Sequence, residues 1–326
     1  MYKILMTREL PYENFDLFGE EFKFFINRGK KLTRNQLLNK VKGMNGIIST
    51  LRNNIGAEVI ESAGSNLKVI SNYAVGYDNI NVKEATKYQI FVTNTPSVLT
   101  ETTADHAWAL LMSASRRVVE AHNYILNGKW KDWHPLFFAG RDIHGKTLGI
   151  IGLGRIGTAI ARKSLGFNMK LLYHSRTRKP ELEKELNITY RELNDVLEQS
   201  DFIMLSVPLI PKTKHLIGKK ELGLMKKSAF LINISRGPVI DEKALISVLK
   251  HNKIAGAGLD VFTSEPINPN NPLLKLKNIV ITPHIGSATI ETRTMMAKVA
   301  LENVYHVLKG DYHKANIVNS KKLLNI

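Results

Sequence analysis

The stretch TLGIIGLGRIGTAIARKSL, residues 147–165, decides the fold. Its apolar run ends at three glycines, Gly152, Gly154 and Gly157, and a segment with helical spacing follows at once. A strand that enters a helix through a glycine-rich turn is typical of a parallel sheet with crossover helices. The stretch therefore predicts an α/β fold.

The same alternation of short apolar runs and helical segments extends in both directions from this stretch. Before residue 100 the predicted strands include KILMT, GIIST, LKVIS and IFVTN. The later set is TLGIIGLG, KLLYHS, FIMLSVP, AFLINIS, GAGLDVF and NIVITPH. Between the two sets, apolar residues from Glu101 to Ile125 predict one long amphipathic helix. A last helix is expected from Ile290 to about Lys309.

Length and pattern together predict two domains. Pro, Gly and Ser interrupt the pattern near 96–100 and 285–289. We expect residues 1–99 and 288–326 to form one domain and residues 100–287 to form the other. The predicted fold class is α/β, with two doubly wound parallel-sheet domains. A Rossmann coenzyme domain is expected to be inserted into a flavodoxin-like substrate domain.

Composition excludes several kinds of protein and site. The chain has 326 residues and no cysteine, so it has no disulfide framework and no Cys-ligated metal, and we expect no metal site. Cytoplasm is the default location, and no apolar run approaches the roughly 20 residues needed to cross a membrane. The net charge of +17 comes without a basic tail or zinc-finger spacing. We interpret it as a solvated basic surface that attracts anionic ligands, and expect no binding to nucleic acid or membrane.

The glycine turn predicts a dinucleotide site. Gly152 permits the tight turn, Gly154 lets the backbone approach a pyrophosphate, and Gly157 allows close packing of the helix on the strand. The N-terminus of the helix adds N–H groups and a positive partial charge. Arg155, inside the motif, could contact a phosphate directly, and we assign Ile156 to the site with its neighbours.

The stretch YHSRTRKP, residues 173–180, predicts which dinucleotide is bound. Chains that bind NAD usually place an acid at the end of this strand, to hold the ribose hydroxyls. Ser175, Arg176 and Arg178 stand here instead, with Arg178 able to point to solvent. A hydroxyl and a guanidinium favour a 2′-phosphate, because charge-assisted hydrogen bonds contribute about 1.5–3 kcal/mol each. We therefore predict NADP(H) as the cofactor.

Three further residues follow three successive strands. They are Arg236 in NISRGPVID, Glu265 in GLDVFTSEP and His284 in ITPHIGS. Ligands of doubly wound sheets bind beyond the carboxyl ends of the strands, so the three could converge. Arg236 could bind a substrate carboxylate through both of its nitrogens, and His284 could transfer a proton. Glu265, if hydrogen-bonded to that imidazole, would stabilise its protonated form.

Nearly the whole chain resembles the D-isomer-specific 2-hydroxyacid dehydrogenases. The resemblance is carried by NYAVGYDNI (72–80), TNTPSVLTETTADHA (93–107), GIIGLGRIG (149–157), NISRGPVID (233–241), GLDVFTSEP (258–266) and TPHIGSAT (282–289). Within the family, the region VLTETTADHAWALL and the arginines after the second strand are most similar to the NADPH-linked glyoxylate/hydroxypyruvate reductases, which include the 2-ketogluconate reductase branch.

This resemblance implies a set of site residues and a partner. It implies that the Arg–Glu–His triplet is catalytic, that the enzyme is a homodimer built on the coenzyme domain, and that the backbone of Val75-Gly76 binds the substrate carboxylate. Thr103 and Asp260 match positions near the nicotinamide, although Asp260 could instead be a strand-end hydrogen-bond acceptor. We also place Pro208, at the end of FIMLSVP, in the cofactor site. Leu51 would lie near the substrate or could simply belong to the core.

The function predicted from the residues and the resemblance is NADPH-dependent reduction of glyoxylate, hydroxypyruvate or 2-ketogluconate to the D-2-hydroxyacid. One alternative is an enzyme like D-3-phosphoglycerate dehydrogenase, for which Arg52 could bind a phosphate. Another is a nucleotide-sensing corepressor of the same fold. Phe137 matches an aromatic that related reductases insert into the neighbouring active site, or it could pack in a dimer interface.

Overall fold

The computed structural model describes residues 1–323, apart from the side chains of Asp16, Leu17 and Lys321. The described chain separates into two compact units. The first consists of Met1–Leu99 and the segment that begins at Ala288, and the second of Thr100–Ser287. The last three residues of the domain predicted for 288–326 lie outside the described residues.

The first unit is built on a sheet of five parallel strands. They are β1 (Tyr2–Met6), β2 (Phe22–Ile26), β3 (Gly46–Ser49), β4 (Val69–Asn72) and β5 (Phe91–Thr93), in the order β2-β1-β3-β4-β5. Three helices connect them: α1 (Arg34–Lys40), α2 (Ala57–Ala63) and α3 (Val82–Lys87). A parallel sheet needs such crossovers, because each strand must return to the same edge of the sheet before the next begins.

The second unit is built on seven parallel strands. They are β6 (Thr147–Ile151), β7 (Lys170–His174), β8 (Ile188–Tyr190), β9 (Phe202–Leu205), β10 (Phe230–Asn233), β11 (Gly256–Leu259) and β12 (Ile279–Ile281). Their order is β12-β11-β10-β9-β6-β7-β8. The helices of this unit are α4 (Thr100–Ser115), α5 (Val118–Leu126), α6 (Arg155–Lys163), α7 (Pro180–Leu186), α8 (Leu193–Gln199), α9 (Lys219–Leu224) and α10 (Glu242–Lys250). Two helices of the first unit follow, α11 (Ile290–Lys309) and α12 (Ser320–Leu323).

Both sheets are covered by helices on two faces, as alternate strand residues show. In the second unit, Ile150 packs into a core that includes α4 and α6, whereas Ile151 packs into one that includes α8 and α10. In the first unit, Ile70 packs against α2. The next residue, Ser71, donates to the carbonyl of Ala300 on α11. Successive side chains of a strand point to opposite faces, so both faces are buried and the strands are apolar throughout.

The predicted fold class is confirmed, since all the strand pairs in both sheets are parallel. Strand β6 stands at the point where the order of the second sheet reverses, as in a Rossmann fold. The first sheet has the flavodoxin-like order. Strands β2 and β8 were not among those predicted. Within the described residues, no helix has the length and apolar content that crossing a membrane requires.

The prediction of one long helix from Glu101 to Ile125 is wrong, because the chain forms two helices there. Arg117 has a φ of 55°, in the left-handed region, which ends α4 before α5 begins. Its guanidinium donates to the Glu120 carboxylate at 2.8 and 2.9 Å and lies over the Phe138 ring. These contacts stabilise the break between α4 and α5, which the periodicity of apolar residues does not predict.

Candidate active site

The glycine turn between β6 and α6 has three differently constrained positions. Gly152 has a φ of 99°, and a Cβ there would lie 2.8 Å from a methyl carbon of Val207. A Cβ on Gly157 would collide with the carbonyl oxygen of Gly152, so α6 packs directly on the turn. Around Gly154, by contrast, no atom of the described residues other than its own chain neighbours lies within 4 Å of the position of an added Cβ. The turn is therefore closed on the protein side and open where a pyrophosphate would approach.

Helix α6 begins at this opening. Gly154 is its N-cap and Arg155 its first residue, and the Arg155 side chain is exposed. Ile156 is half-buried and packs against the core of the unit. The first N–H groups of a helix have no partner within it, so they can bind an anion. The arrangement fits the diphosphate of a dinucleotide.

The loop after β7 holds the residues predicted for a 2′-phosphate. The amide of Lys179 donates to the Tyr173 hydroxyl at 2.7 Å, which folds the loop back onto the strand. Arg176 is exposed in this loop. The Ser175 hydroxyl donates to the carbonyl of Thr177 at 2.6 Å, so a phosphate would have to compete for that hydrogen.

Arg178 forms a two-pronged ion pair with Glu183 on α7. Its Nε lies 2.8 Å from Oε1 and its Nη2 2.7 Å from Oε2. The Tyr173 hydroxyl donates to the same carboxylate at 2.6 Å. Hydrogen bonds from Arg178 and Tyr173 lower the pKa of Glu183 to about 2, while burial, together with Glu183, raises the pKa of Tyr173 to about 12. The charge of Arg178 is therefore already matched by a carboxylate, whereas no ion pair with Arg176 is found among the described residues.

His284 and Glu265 form a hydrogen-bonded pair. His284 Nδ1 lies 2.7 Å from Glu265 Oε2, and each side chain keeps about a quarter of its surface exposed. The other Glu265 oxygen accepts from the amide of Phe262 at 3.1 Å. Burial opposes ionisation of Glu265, but His284, the Phe262 amide and the charge of Arg236 outweigh it and hold the pKa of that carboxyl below its usual value. Glu265 therefore stays a carboxylate beside the imidazole.

Arg236 lies in the loop after β10 and is half-buried. Asn233 holds this loop, because its amide donates to the carbonyl of Arg236 at 3.0 Å. Gly237 follows, and a Cβ on it would collide with the backbone of Phe262. Two loops from neighbouring strands thus touch main chain to main chain. This contact places Arg236 close enough to Glu265 for its charge to lower the pKa of that carboxyl.

Asp260, at the end of β11, organises the loop that carries His284. Its carboxylate accepts from the Thr282 hydroxyl at 2.6 Å and from the amides of Ile285 and Gly286, both at 2.8 Å. The ring of His106 on α4 lies 3.3 Å away. Burial opposes its ionisation, but these donors outweigh burial and hold the pKa of Asp260 below its usual value. These hydrogen bonds fit a strand-end acceptor, and a contact of Asp260 with the nicotinamide stays a prediction.

Thr103 and Pro208, the other two residues predicted for the cofactor site, both belong to the second unit. Thr103 is buried on α4, and its methyl carbon would lie 3.4 Å from a Cβ added at Gly286. Pro208 is exposed after β9, and its carbonyl accepts from the Thr213 hydroxyl at 2.6 Å. The structure thus brings Thr103 to the loop of His284 and fixes the backbone at Pro208.

The first unit carries the other predicted substrate residues. Leu51 is half-buried and Arg52 exposed in the loop after β3, and Val75-Gly76 lies in the loop after β4. Strands β3 and β4 are neighbours in register, so both loops leave the same edge of the sheet. Phe137, in the second unit, packs edge-on against Tyr124 and Phe138.

Sequence reasoning missed three residues that shape the site: Gly237, Glu183 and His106. The glycine directly after Arg236 in SRGP was a signal for a close backbone approach. Glu183 lies five residues after Arg178, but the turn between them gave no sign that their side chains would meet. His106 is one of ten histidines, and no spacing separates it from the others.

Comparison with known proteins places the chain in one family. A family model described as "D-isomer specific 2-hydroxyacid dehydrogenase, NAD binding domain" matches residues 108–286. The chain is 49% identical over 321 residues to a glyoxylate reductase of Korarchaeum cryptofilum, covering 98% of this chain and 96% of that protein. A crystal structure of a Thermus thermophilus protein superposes with a TM-score of 0.91 at 43% identity, covering 97% of this chain and 99% of that one.

A second solved structure is an NADPH-dependent glyoxylate/hydroxypyruvate reductase of Sinorhizobium meliloti, in complex with NADP and malonate. It is 30% identical with a TM-score of 0.79, covering 94% of this chain and 93% of that one. The protein is accordingly an oxidoreductase that uses a nicotinamide dinucleotide. The chain belongs to the family of D-isomer-specific 2-hydroxyacid dehydrogenases.

Proposed function

We propose that the protein reduces a small 2-oxoacid, glyoxylate first among the candidates, to the 2-hydroxyacid with NADPH. The observation that carries the proposal is the 2.7 Å hydrogen bond between His284 and Glu265, in the unit that also contains the glycine turn. This pair supports the proposal, because an imidazole held by a carboxylate beyond the strands of the sheet that follows the glycine turn could donate a proton to a bound substrate. The relative of 49% identity, named a glyoxylate reductase, supports glyoxylate as the substrate.

The dinucleotide, when bound, supplies the hydride that reduces the carbonyl carbon. The residues of the chain would bind and orient it. The opening at Gly154 and the first N–H groups of α6 would hold its diphosphate. Thr103, on α4, would limit the space beside the loop of His284.

We infer a preference for NADPH from the loop after β7. Arg176 is exposed there and free of any ion pair within the described residues, so its guanidinium can bind a phosphate through two nitrogens. Arg178 contributes less, since Glu183 already holds it. The related enzyme of Sinorhizobium meliloti is named NADPH-dependent, and its structure contains NADP.

His284 would act as the proton donor. Its Nδ1 is engaged by Glu265, which leaves Nε2 as the atom that gives a proton to the carbonyl oxygen of the substrate. Because Glu265 remains a carboxylate, it can accept the hydrogen on Nδ1 and so fix the orientation of the ring. Removing the proton from Nε2 then leaves a neutral imidazole that is still hydrogen-bonded.

The substrate carboxylate would be bound by Arg236 and by the amides of Val75-Gly76. A guanidinium matches the two oxygens of a carboxylate, and its charge polarises the adjacent carbonyl. Asn233 fixes the backbone of Arg236, so the side chain starts from a defined position. The choice among glyoxylate, hydroxypyruvate and 2-ketogluconate depends on the space around the loop of Leu51.

We also propose a homodimer formed through the second unit. Helix α5 has no buried residue, and large apolar side chains on it and on the segment that follows are exposed. They are Val118, Val119, Ile125, Leu126, Trp130, Trp133 and Leu136. So many large exposed apolar side chains in one segment are typical of a surface that contacts another molecule. A second copy of the chain is the partner expected from the family resemblance.

Steady-state kinetics with a panel of 2-oxoacids, each run with NADPH and with NADH, tests the proposal. The panel contains glyoxylate, hydroxypyruvate, 2-ketogluconate and 3-phosphohydroxypyruvate. We expect the highest kcat/KM with glyoxylate or hydroxypyruvate and NADPH. A higher value with 3-phosphohydroxypyruvate would transfer the assignment to a phosphoglycerate dehydrogenase, with Arg52 as its phosphate ligand. Absence of turnover with the whole panel would overturn the enzymatic proposal.

A further inference from the structure

A group of buried asparagines lies at the carboxyl edge of the first unit's sheet. Asn72 ends β4 and is fully buried, Asn53 is 4% exposed and Asn94 is 8% exposed. Asn79 is half-buried in the loop after β4. Burying an amide without hydrogen bonds destabilises the fold, so each of these side chains needs hydrogen-bond partners. We call Asn53, Asn72, Asn79 and Asn94 the asparagine network.

Asn72 and Asn79 form a reciprocal amide pair. Asn72 Nδ2 donates to Asn79 Oδ1 at 3.0 Å, and Asn79 Nδ2 donates to Asn72 Oδ1 at 3.2 Å. Asn72 has two more bonds: its oxygen accepts from the Ser49 hydroxyl at 3.0 Å, and its nitrogen donates to the carbonyl of Gly76 at 2.7 Å. All four of its hydrogen-bonding positions are occupied, which fixes the orientation of the amide.

Asn79 and Asn53 connect this pair to the loop after β3. Asn79 Nδ2 donates to the carbonyls of Thr50 and Asn53, at 3.2 and 3.0 Å. Asn53 Oδ1 accepts from the amide and hydroxyl of Thr50 and from the hydroxyl of Thr7, which follows β1. Three loops that leave adjacent strands are thus cross-linked through amides. Hydrogen bonds therefore connect the loop of Leu51 to the loop of Val75-Gly76.

Three successive carbonyls in the loop after β4 are also fixed, two of them by the network and one by a backbone amide. The carbonyl of Ala74 accepts from the amide of Thr95 at 2.9 Å, and that of Val75 from Asn94 Nδ2 at 2.7 Å. The carbonyl of Gly76 accepts from Asn72, as described above. In a trans peptide the C=O and the following N–H point in opposite directions. The N–H groups of Val75, Gly76 and Tyr77 are therefore turned away from the groups that hold the carbonyls.

These three N–H groups form no hydrogen bond within the part of the chain that the structure describes. A segment whose carbonyls are all bound from one side, and whose amides remain available, is suited to bind an anion. We propose that Asn72, Asn79 and Asn94 are positioning residues, which orient the amides of Val75-Gly76 and Tyr77 towards the carboxylate of the 2-oxoacid. This inference rests on the proposed function, because it concerns the carboxylate of that substrate.

Alanine variants of two network residues test the inference, with a matched control in the same unit. Asn94→Ala removes the donor to Val75, and Asn79→Ala removes the bridge between the loops. The control, Asn45→Ala, removes two side-chain hydrogen bonds outside the network, one from the Lys3 amide and one to the Asn66 carbonyl. The measurements are KM for glyoxylate, the inhibition constant of oxamate, kcat, the Kd of NADPH and the melting temperature.

We expect KM and the oxamate inhibition constant to rise together by about tenfold in both network variants, as the loss of one well-placed hydrogen bond predicts. The Kd of NADPH should remain within about twofold of the wild-type value, since a one-residue change in the first unit removes no dinucleotide contact. The control should change neither constant. Equal changes in KM, kcat and NADPH affinity, or the same changes in the control, would overturn the inference.

Hydrogen exchange tests the same inference without turnover. In the wild type, oxamate with NADP should slow exchange in residues 72–80, because a bound carboxylate protects the amides, and Asn94→Ala should lose that protection. An unprotected segment in the wild type would overturn the inference even if glyoxylate is reduced. Protection without turnover would overturn the proposed function alone. If Asn79→Ala does not fold, Asn94→Ala and the exchange experiment still decide.

Discussion

His284 occupies a backbone conformation that non-glycine residues rarely adopt, with a φ of 56°. Left-handed conformations of such residues cost about 1–3 kcal/mol and persist where surrounding bonds fix them. Here the His284 amide donates to the carbonyls of Asp260 and Thr282, at 2.9 and 3.0 Å. The buried carboxylate of Asp260 holds the two residues that follow. The imidazole is therefore placed by the backbone before any ligand binds.

Replacing this imidazole tests its proposed chemistry. We expect His284→Gln to lower kcat/KM by about 10²–10⁴-fold, because proton transfer by a positioned side chain contributes that much. Binding of the dinucleotide, measured by fluorescence titration, should change little. His251→Gln is the control, since His251 is exposed on the same unit and its ring nitrogen bonds only the carbonyl of Ser247 among described residues. Wild-type turnover in His284→Gln would contradict the assignment.

At the scale of elements, the loop from β7 to α7 combines two roles. Tyr173, Arg178 and Glu183 hold the loop in shape, whereas Ser175 and Arg176 are presented by it. The two arginines are only two residues apart in the sequence, yet one is part of the scaffold and the other is available to a ligand.

This division predicts how the cofactor preference can be changed. The double variant Ser175→Asp, Arg176→Ala should lower kcat/KM with NADPH by about tenfold to 10³-fold, because one or two charge-assisted hydrogen bonds to the 2′-phosphate are lost. The use of NADH relative to NADPH should improve, because the new carboxylate repels the phosphate and can accept from the ribose hydroxyls of NADH. Arg178→Ala should lower the NADPH value less. The test is kinetics with both cofactors at one saturating 2-oxoacid concentration. An unchanged NADPH preference in the double variant would show that another group binds the phosphate.

The same loop should make stability depend on pH. The pKa of Glu183 is lowered from 4.5 to about 2, so its ion pair stabilises the fold above pH 4.5, and this contribution is lost as pH falls towards 2. Glu183→Gln should therefore melt a few degrees below the wild type at pH 7, with a difference that shrinks between pH 4.5 and 2. Thermal unfolding followed by circular dichroism measures this. An equal difference at all pH values would contradict it.

Several elements were predictable because their signals are local. The glycine turn and helix α11 follow from spacing and periodicity in a continuous segment, and the fold class follows from their alternation with apolar runs. The break at Arg117 was not predictable, since arginine carries no preference for a left-handed φ. The asparagine network depends on which strands are neighbours in the sheet, so it cannot be predicted from the sequence of any single segment. The pairing of Arg178 with Glu183 depends on the turn between them in the same way.

At the scale of the whole molecule, the net charge and the exposed apolar side chains favour two different kinds of binding partner. The net charge of +17 raises the local concentration of anionic metabolites, an effect that salt screens. The apolar side chains of α5 and the segment after it offer a surface for another protein molecule instead.

A charge placed on this apolar surface should dissociate the proposed homodimer. Leu126 is 71% exposed, and Leu126→Asp would bury a carboxylate against the second copy, so we expect a sedimenting mass of one chain where the wild type has two. Leu274→Asp, at an exposed leucine far along the sequence from α5, serves as the control and should leave the mass unchanged. A monomeric wild type would contradict the proposal.

The three tryptophans lie in two contrasting environments. Trp108 is buried and its indole donates to the carbonyl of Ile160, while Trp130 and Trp133, in the segment after α5, are 58% and 67% exposed. Trp108 should therefore emit at a constant, short wavelength. The emission wavelength of Trp130 and Trp133 should depend on whether another molecule covers them. If the proposed homodimer covers Trp130 and Trp133, dilution should shift the emission to longer wavelength and make it more accessible to quenching by acrylamide. Trp130 and Trp133 would thus report on the proposed homodimer without any added label.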